Sequence, residues 1–115
     1  MKTIAIVYFS GSGHTAAMAE AVQRGAAGTG GIDTVLLPID GRRIVDGRFT
    51  DEDLLARLDG ADAIIFGSPT YMGSVAAQFK AFADATAGAW FTRSWSGKLA
   101  AGFTHFPYAN PQAPR

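Results

Sequence analysis

Apolar residues run without interruption over Thr3–Phe9 and stop at Ser10-Gly11-Ser12-Gly13. A short β-branched and aromatic run that ends in turn formers predicts a strand buried on both faces, as in a parallel sheet. Over Thr15–Ala27 the pattern changes to helical spacing. Met18, Ala21, Val22 and Gly25 make the apolar stripe, Glu20, Gln23 and Arg24 the polar face, and Gly28, Gly30 and Gly31 the stop. Thr34–Ile39 predicts a second strand, and Pro38, which cannot donate a ladder hydrogen bond, places it at or near a sheet edge. A polar loop over Asp40–Phe49 leads to a short helix with Thr50 as N-cap and Asp51, Glu52 and Asp53 in the first turn, where the helix dipole favours negative charge. Leu54, Leu55 and Leu58 are its buried stripe and Gly60 its end.

Ala61–Gly67 predicts a third buried strand and Ser68–Gly73 a loop. Ser74–Thr86 reads as a helix with Val75, Phe79, Phe82 and Ala83 inward, Ala87–Gly97 as an irregular stretch, and Lys98–Thr104 as a fourth strand. The order β-α-β-α-β-α-β means α/β with a parallel sheet, and right-handed crossovers put helices on both of its faces. Residues 1–104 make one domain by this reading. Residues 105–115, with Pro107, Pro111 and Pro114, are expected to be an extended, poorly ordered tail.

Composition narrows the chemistry. Ten basic residues balance ten acidic ones, which removes an electrostatic reason for a nucleic-acid or acidic-membrane partner. There is no cysteine, so disulfides, thiolate catalysis and thiolate metal ligation are excluded. The two histidines, His14 and His105, stand far apart in sequence, giving a metal site little support. No apolar run approaches the roughly 20 residues of a membrane span, and the N-terminus lacks the features of a signal peptide. A cytoplasmic protein is the expectation.

The candidate chemistry lies in two loops. Ser10-Gly11-Ser12-Gly13-His14-Thr15 follows the first strand and opens the first helix. Glycines let backbone turn tightly and approach a ligand, and a helix N-terminus offers free N–H groups to a phosphate. Ser10, Ser12 and Thr15 add hydroxyls, and His14 favours a binding contribution over a catalytic one. A Walker A loop is rejected for want of a Lys before Thr15. Gly11-x-Gly13-x-x-Ala16 matches the dinucleotide fingerprint, but its acidic partner would have to be Asp40, rather far along. The hydroxyl-rich S-x-S-G-x-T pattern suits one terminal phosphate instead.

Ser10-x-Ser12-Gly13-x-Thr15 is similar to the FMN-phosphate loop of flavodoxins. Gly67-Ser68-Pro69-Thr70-Tyr71-Met72-Gly73, with Gln78-Phe79-Lys80-Ala81-Phe82 after it, resembles the corresponding loop of the flavodoxin-like NAD(P)H:quinone oxidoreductases, the WrbA-like family. The resemblance covers residues 2–104. It implies a flavodoxin-like open parallel sheet in a three-layer α/β/α arrangement of strand order 2-1-3-4-5, with ligands at the carboxyl ends of strands one and three. It also implies FMN as cofactor, NAD(P)H as donor, a quinone-type acceptor and a homo-oligomer. Ser10, Ser12, Gly13, His14 and Thr15 would hold the FMN phosphate. Pro69, Thr70, Tyr71, Met72 and Gly73 would run along the isoalloxazine, and Thr104 would open a loop to its pyrimidine edge. Trp90 and Trp95 would line the nicotinamide or quinone site, sometimes of a neighbouring subunit, or would equally be core or interface aromatics. The family pattern continues with a third flavin loop, a fifth strand and a last helix. None follows Thr104 here, so truncation is expected, with strand four left as an exposed edge. A flavodoxin-type electron carrier and a non-catalytic remnant are the alternatives.

Overall fold

The computed structural model describes residues 2–106, and the proline-containing segment 107–115, expected as a disordered tail, lies outside the described residues. Strands β1 (Lys2–Tyr8), β2 (Ile32–Pro38), β3 (Ile44–Val45), β4 (Arg48–Phe49), β5 (Ala63–Tyr71), β6 (Ser74–Val75) and β7 (Leu99–His105) alternate with four α-helices. These are α1 (His14–Ala27), α2 (Glu52–Asp59), α3 (Ala77–Ala85) and α4 (Ala87–Thr92). The parallel strands lie in the order β2-β1-β5-β7, the 2-1-3-4 part of the expected sheet. Register runs Ile4↔Thr34 across β1 and β2, Ile6↔Ile65 across β1 and β5, and Phe66↔Gly102 across β5 and β7. β2 is the edge that Pro38 forecast. At the opposite edge Leu99 is 75 % exposed, as a strand paired on one side would leave it.

Side chains alternate across the sheet, so each face buries a different set. Ile6, Tyr8 and Ala19 form one cluster under α1, joined by Val22, Ile65 and Phe103. Ala5, Val7, Leu37, Leu54, Leu58, Ile64 and Phe82 form the other under α2 and α3. Phe79 and Phe82 meet edge to face at 5.5 Å, and Phe49 meets Phe82 at 5.8 Å. The result is the three-layer α/β/α arrangement. Among the described residues, no helix is long and apolar enough to cross a membrane.

Several local expectations are corrected. The N-cap of α2 is Asp51, whose carboxylate accepts from the Leu54 N–H at 3.1 Å. Thr50 instead donates its hydroxyl to the Arg43 carbonyl at 2.7 Å. Thr50 is drawn away because 40–49 is not a plain loop. It holds a 3-10 turn at Gly41–Arg43 and a small hairpin of β3 and β4, turned by left-handed Asp46 and Gly47. The inward face of α1 is Thr15 and Ala19 with Val22, whereas Ala21 and Gly25 are exposed. Alanines on every side of this helix blur its stripe. α3 starts at Ala77, so Val75 belongs to β6 and is exposed rather than core. Within Ala87–Gly97 the short helix α4 replaces an irregular stretch.

Candidate functional site

The turn between β1 and α1 is held from within. Ser10 Oγ accepts from the backbone N–H of Gly13 and of Ala16, both at 3.1 Å. Ser10 therefore serves as the remote cap of α1, while Gly13 occupies the cap position itself with a φ of 96°, a left-handed geometry that favours glycine. Among the described residues, the N–H groups and hydroxyls of Ser12 and Thr15 meet no protein acceptor. Those donors stand at the positive end of a 14-residue helix, the arrangement that binds anions.

The second loop is more ordered than expected. β5 continues through Ser68, Pro69 and Thr70 to Tyr71 and folds back into β6, with Tyr71↔Ser74 closing a two-residue turn. Both turn residues, Met72 and Gly73, are left-handed, at φ 51° and 77°. Such turns match the strand twist but favour Asn or Gly at the first position, so Met72 carries local strain. Its side chain is 94 % exposed. The Ser68 hydroxyl is buried. It accepts from Ala76 N–H at 3.0 Å and donates to the Pro69 carbonyl at 2.9 Å, fastening the hairpin to the start of α3.

The ends of β5 and β7 are then cross-linked. Thr104 donates its hydroxyl to the Ser68 carbonyl at 2.7 Å, so in its 2.5 Å contact with Thr70 the Thr70 hydroxyl must be the donor. Thr70 consequently keeps an oxygen with acceptor capacity and no spare proton. The two loops also touch directly. A Cβ at Gly11 would lie 2.5 Å from the Tyr71 hydroxyl, so glycine at that position is what lets Tyr71 close over the first loop.

Tertiary structure adds a residue that sequence reading passed over. His105 ends β7 opposite Pro69, and its ring stacks on His14 with centroids 4.9 Å apart and planes at 29°. No spacing rule relates the two. Only the register of β7 against β5 carries His105 to the first turn of α1. The neighbouring charges at this end of the sheet are self-contained. Arg42 binds the Asp40 carboxylate through its side chain and its backbone N–H and holds it down to about 2. Burial, and then the charge of Glu20, push the Tyr8 phenol up.

Trp90 and Trp95 are not brought to this site. The Trp95 indole donates to the Asp59 carboxylate at 2.6 Å, at the end of α2 and beside the start of β5. It packs against the core cluster at the amino end of the sheet, opposite the two loops. Trp90 is exposed there and contacts Phe91 edge to face. Within a single chain these tryptophans stand away from the two loops. α3 runs from the carboxyl to the amino end of the sheet and carries α4 and Trp95 away from the loops, and β7 then returns Thr104 and His105 to them.

Comparison with known proteins agrees with this geometry. Residues 4–109 match the family model described as NADPH-dependent FMN reductase. The chain is 44 % identical over 105 residues to Flavodoxin FldP of Pseudomonas aeruginosa, covering 91 % of this chain and 51 % of that protein. It is 37 % identical over 117 residues to an NAD(P)H dehydrogenase (quinone) of Geotalea uraniireducens, covering 90 % and 57 %. The crystal structure of a flavodoxin, WrbA-like protein from Agrobacterium tumefaciens superposes with a TM-score of 0.79 at 45 % identity, over 96 % of this chain and 63 % of that one. The chain thus spans about half the length of the curated relatives it matches.

Proposed function

We propose that this chain, which belongs to the NADPH-dependent FMN reductase family, binds FMN across the carboxyl ends of β1, β5 and β7 and takes part in two-electron transfer from NAD(P)H to a quinone-type acceptor. The observation that carries the reading is the set of unpartnered donors on Ser12 and Thr15 at the α1 N-terminus, directly beside Tyr71. A phosphate monoester needs several donors converging on one point, and this turn supplies them without a Lys or Arg. Ser10 and Gly13 shape the turn, and His14 flanks it.

Pro69, Thr70, Tyr71, Met72 and Gly73 form the wall for the isoalloxazine, where an aromatic face and a thioether suit a flat apolar ring. Thr70, acceptor-only through its bond to Thr104, would suit a ring N–H rather than a carbonyl. Bound FMN supplies the redox chemistry; the protein orients it and shields it from water. Overall, NAD(P)H gives up a hydride, two electrons with one proton, and the quinone takes these up with a second proton from solvent. No side-chain acid or base is needed in these loops. Membership of a homo-oligomer belongs to the same proposal, supported by the exposed Trp90–Phe91 pair.

Titration of the 115-residue chain with FMN, followed by flavin fluorescence, tests the reading with riboflavin as control. Tight FMN binding and weak riboflavin binding are expected, and equal affinity for both would remove the phosphate turn from the account. The kinship with a flavodoxin favours a second reading, an electron carrier without a substrate of its own. NAD(P)H consumption with a quinone separates the two, because a carrier supports almost none.

A further inference from the structure

The amino end of the sheet carries a hollow of its own, away from the two loops. Its volume is about 700 Å³, within the range of small-molecule sites, and Trp90, Phe91, Arg93, Trp95 and Ser96 line it. Trp90 and Phe91 are 74 % and 76 % exposed and meet edge to face at 5.0 Å. Trp95 spends its indole N–H on the Asp59 carboxylate, which fixes the ring and leaves only its apolar surface to offer. The wall is preformed by successive turns, with the Ser96 N–H on the Arg93 carbonyl and the Lys98 N–H on the Trp95 carbonyl, both at 3.1 Å.

Arg93 stands where an arginine is costly. It ends α4 at φ 57° and ψ 27°, with its N–H on the Trp90 carbonyl at 3.3 Å and the Ser94 N–H on the Ala89 carbonyl at 3.1 Å. That is the left-handed helix stop that glycine normally fills. Its guanidinium is also unanswered. Among the described residues the ion pairs are Asp40–Arg42, Arg43–Asp51 and Lys80–Asp84, and Asp59 is taken by Trp95. The Ser96 hydroxyl beside it has no protein partner among the described residues.

We propose that this hollow binds a planar aromatic acid of one or two rings, with Arg93 taking the acid group and Trp90, Phe91 and Trp95 taking the ring. A guanidinium matches a carboxylate or sulfonate through parallel N–H bonds, and aromatic walls suit a flat ring. An uncharged aromatic leaves Arg93 unanswered, and an aliphatic acid leaves the ring walls unused. A second copy of the chain fits less well, because a two-fold contact centred on the hollow brings the two Arg93 groups together with no spare carboxylate between them. The site is separate from the FMN reading and does not rest on it.

The test uses 2-naphthoate, with uncharged 2-naphthamide as control, on the full chain with and without excess FMN. The chain has two tryptophans, so two indole N–H signals in its proton NMR spectrum report on the hollow. 2-Naphthoate should bind about tenfold more tightly than 2-naphthamide and move both signals equally with and without FMN. Arg93→Gly should lower naphthoate affinity about tenfold and leave naphthamide affinity unchanged. Its urea midpoint should hold or rise, because glycine relaxes the left-handed stop. Arg93→Lys keeps the charge without the fork and should fall between the two. Equal affinity for naphthoate and naphthamide, parent-like naphthoate binding by Arg93→Gly, or displacement of naphthoate by FMN would overturn the proposal. Indole signals that move with protein concentration but not with naphthoate would overturn it too, and would make the hollow a contact between copies. Intact naphthoate binding in a chain that binds no FMN would discard the flavin reading and leave this site standing.

Discussion

The two ends of the sheet are built from similar material and do opposite things. At the amino end Asp59, Asp62, Trp95 and Lys98 are tied off. The Asp62 carboxylate accepts from the Thr3 N–H at 2.8 Å, and the Asp62 carbonyl accepts from Leu99 N–H at 3.3 Å, stitching β1, β5 and β7 together. Lys98 donates to the carbonyls of Asp59 and Ala61, which ends α2, while Trp95 takes the Asp59 carboxylate. At the carboxyl end, among the described residues, Ser12 and Thr15 keep donors without a protein acceptor, Thr70 keeps acceptor capacity, and Gly13, Met72 and Gly73 hold left-handed backbone. Satisfied hydrogen bonds mark the amino end and unspent donors the carboxyl end, whereas left-handed backbone does not separate them, since Gly31, Arg93 and Gly97 hold it away from the loops as well. Aromatic content does not discriminate, since Trp95 packs at the amino end and Tyr71 closes over Gly11 at the carboxyl end.

Substitutions can break this contrast from either side. The largest effect is expected at Gly67. A Cβ there would come within 3.0 Å of the Phe103 ring, so Gly67→Ala overpacks β5 against β7 and costs about 1–3 kcal/mol in urea denaturation. Gly11→Ala comes next and is specific to binding. Displacing Tyr71 should lower FMN affinity about tenfold, or about 1.4 kcal/mol, with little change in the unfolding midpoint. At the other end, Asp59→Ala removes the acceptor of Trp95 and should cost about 1 kcal/mol of stability. Its FMN affinity should stay at the parent value, and a loss of affinity would bring the amino end into the site. The smallest effect is a gain. Met72→Asn places the preferred residue at the turn and should raise stability by about 0.5 kcal/mol. A weaker grip on FMN in that variant would show that the strained methionine is kept for the ring, whereas unchanged affinity would make it a plain turn residue.

Much of this was legible in the chain. The apolar runs at Thr3–Phe9 and Ala61–Gly67, the glycine stops and the leucine stripe of α2 specify the alternation of strands and helices, because burial on both faces of a parallel strand leaves an unbroken hydrophobic record. The turn at Ser10–Thr15 was legible for a similar reason, since tight backbone and hydroxyl donors demand particular residue types. Local competition hid the cap of α2, where Thr50 and Asp51 are both good caps and only the β3–β4 hairpin decides between them. The stripe of α1 was hidden by alanine on all sides. What tertiary structure alone decided are the long-range meetings: Tyr71 over Gly11, Thr104 on Ser68 and Thr70, Trp95 at Asp59, and His105 on His14. Each depends on strand register and helix direction, which set where distant residues meet and leave no periodic trace in the sequence.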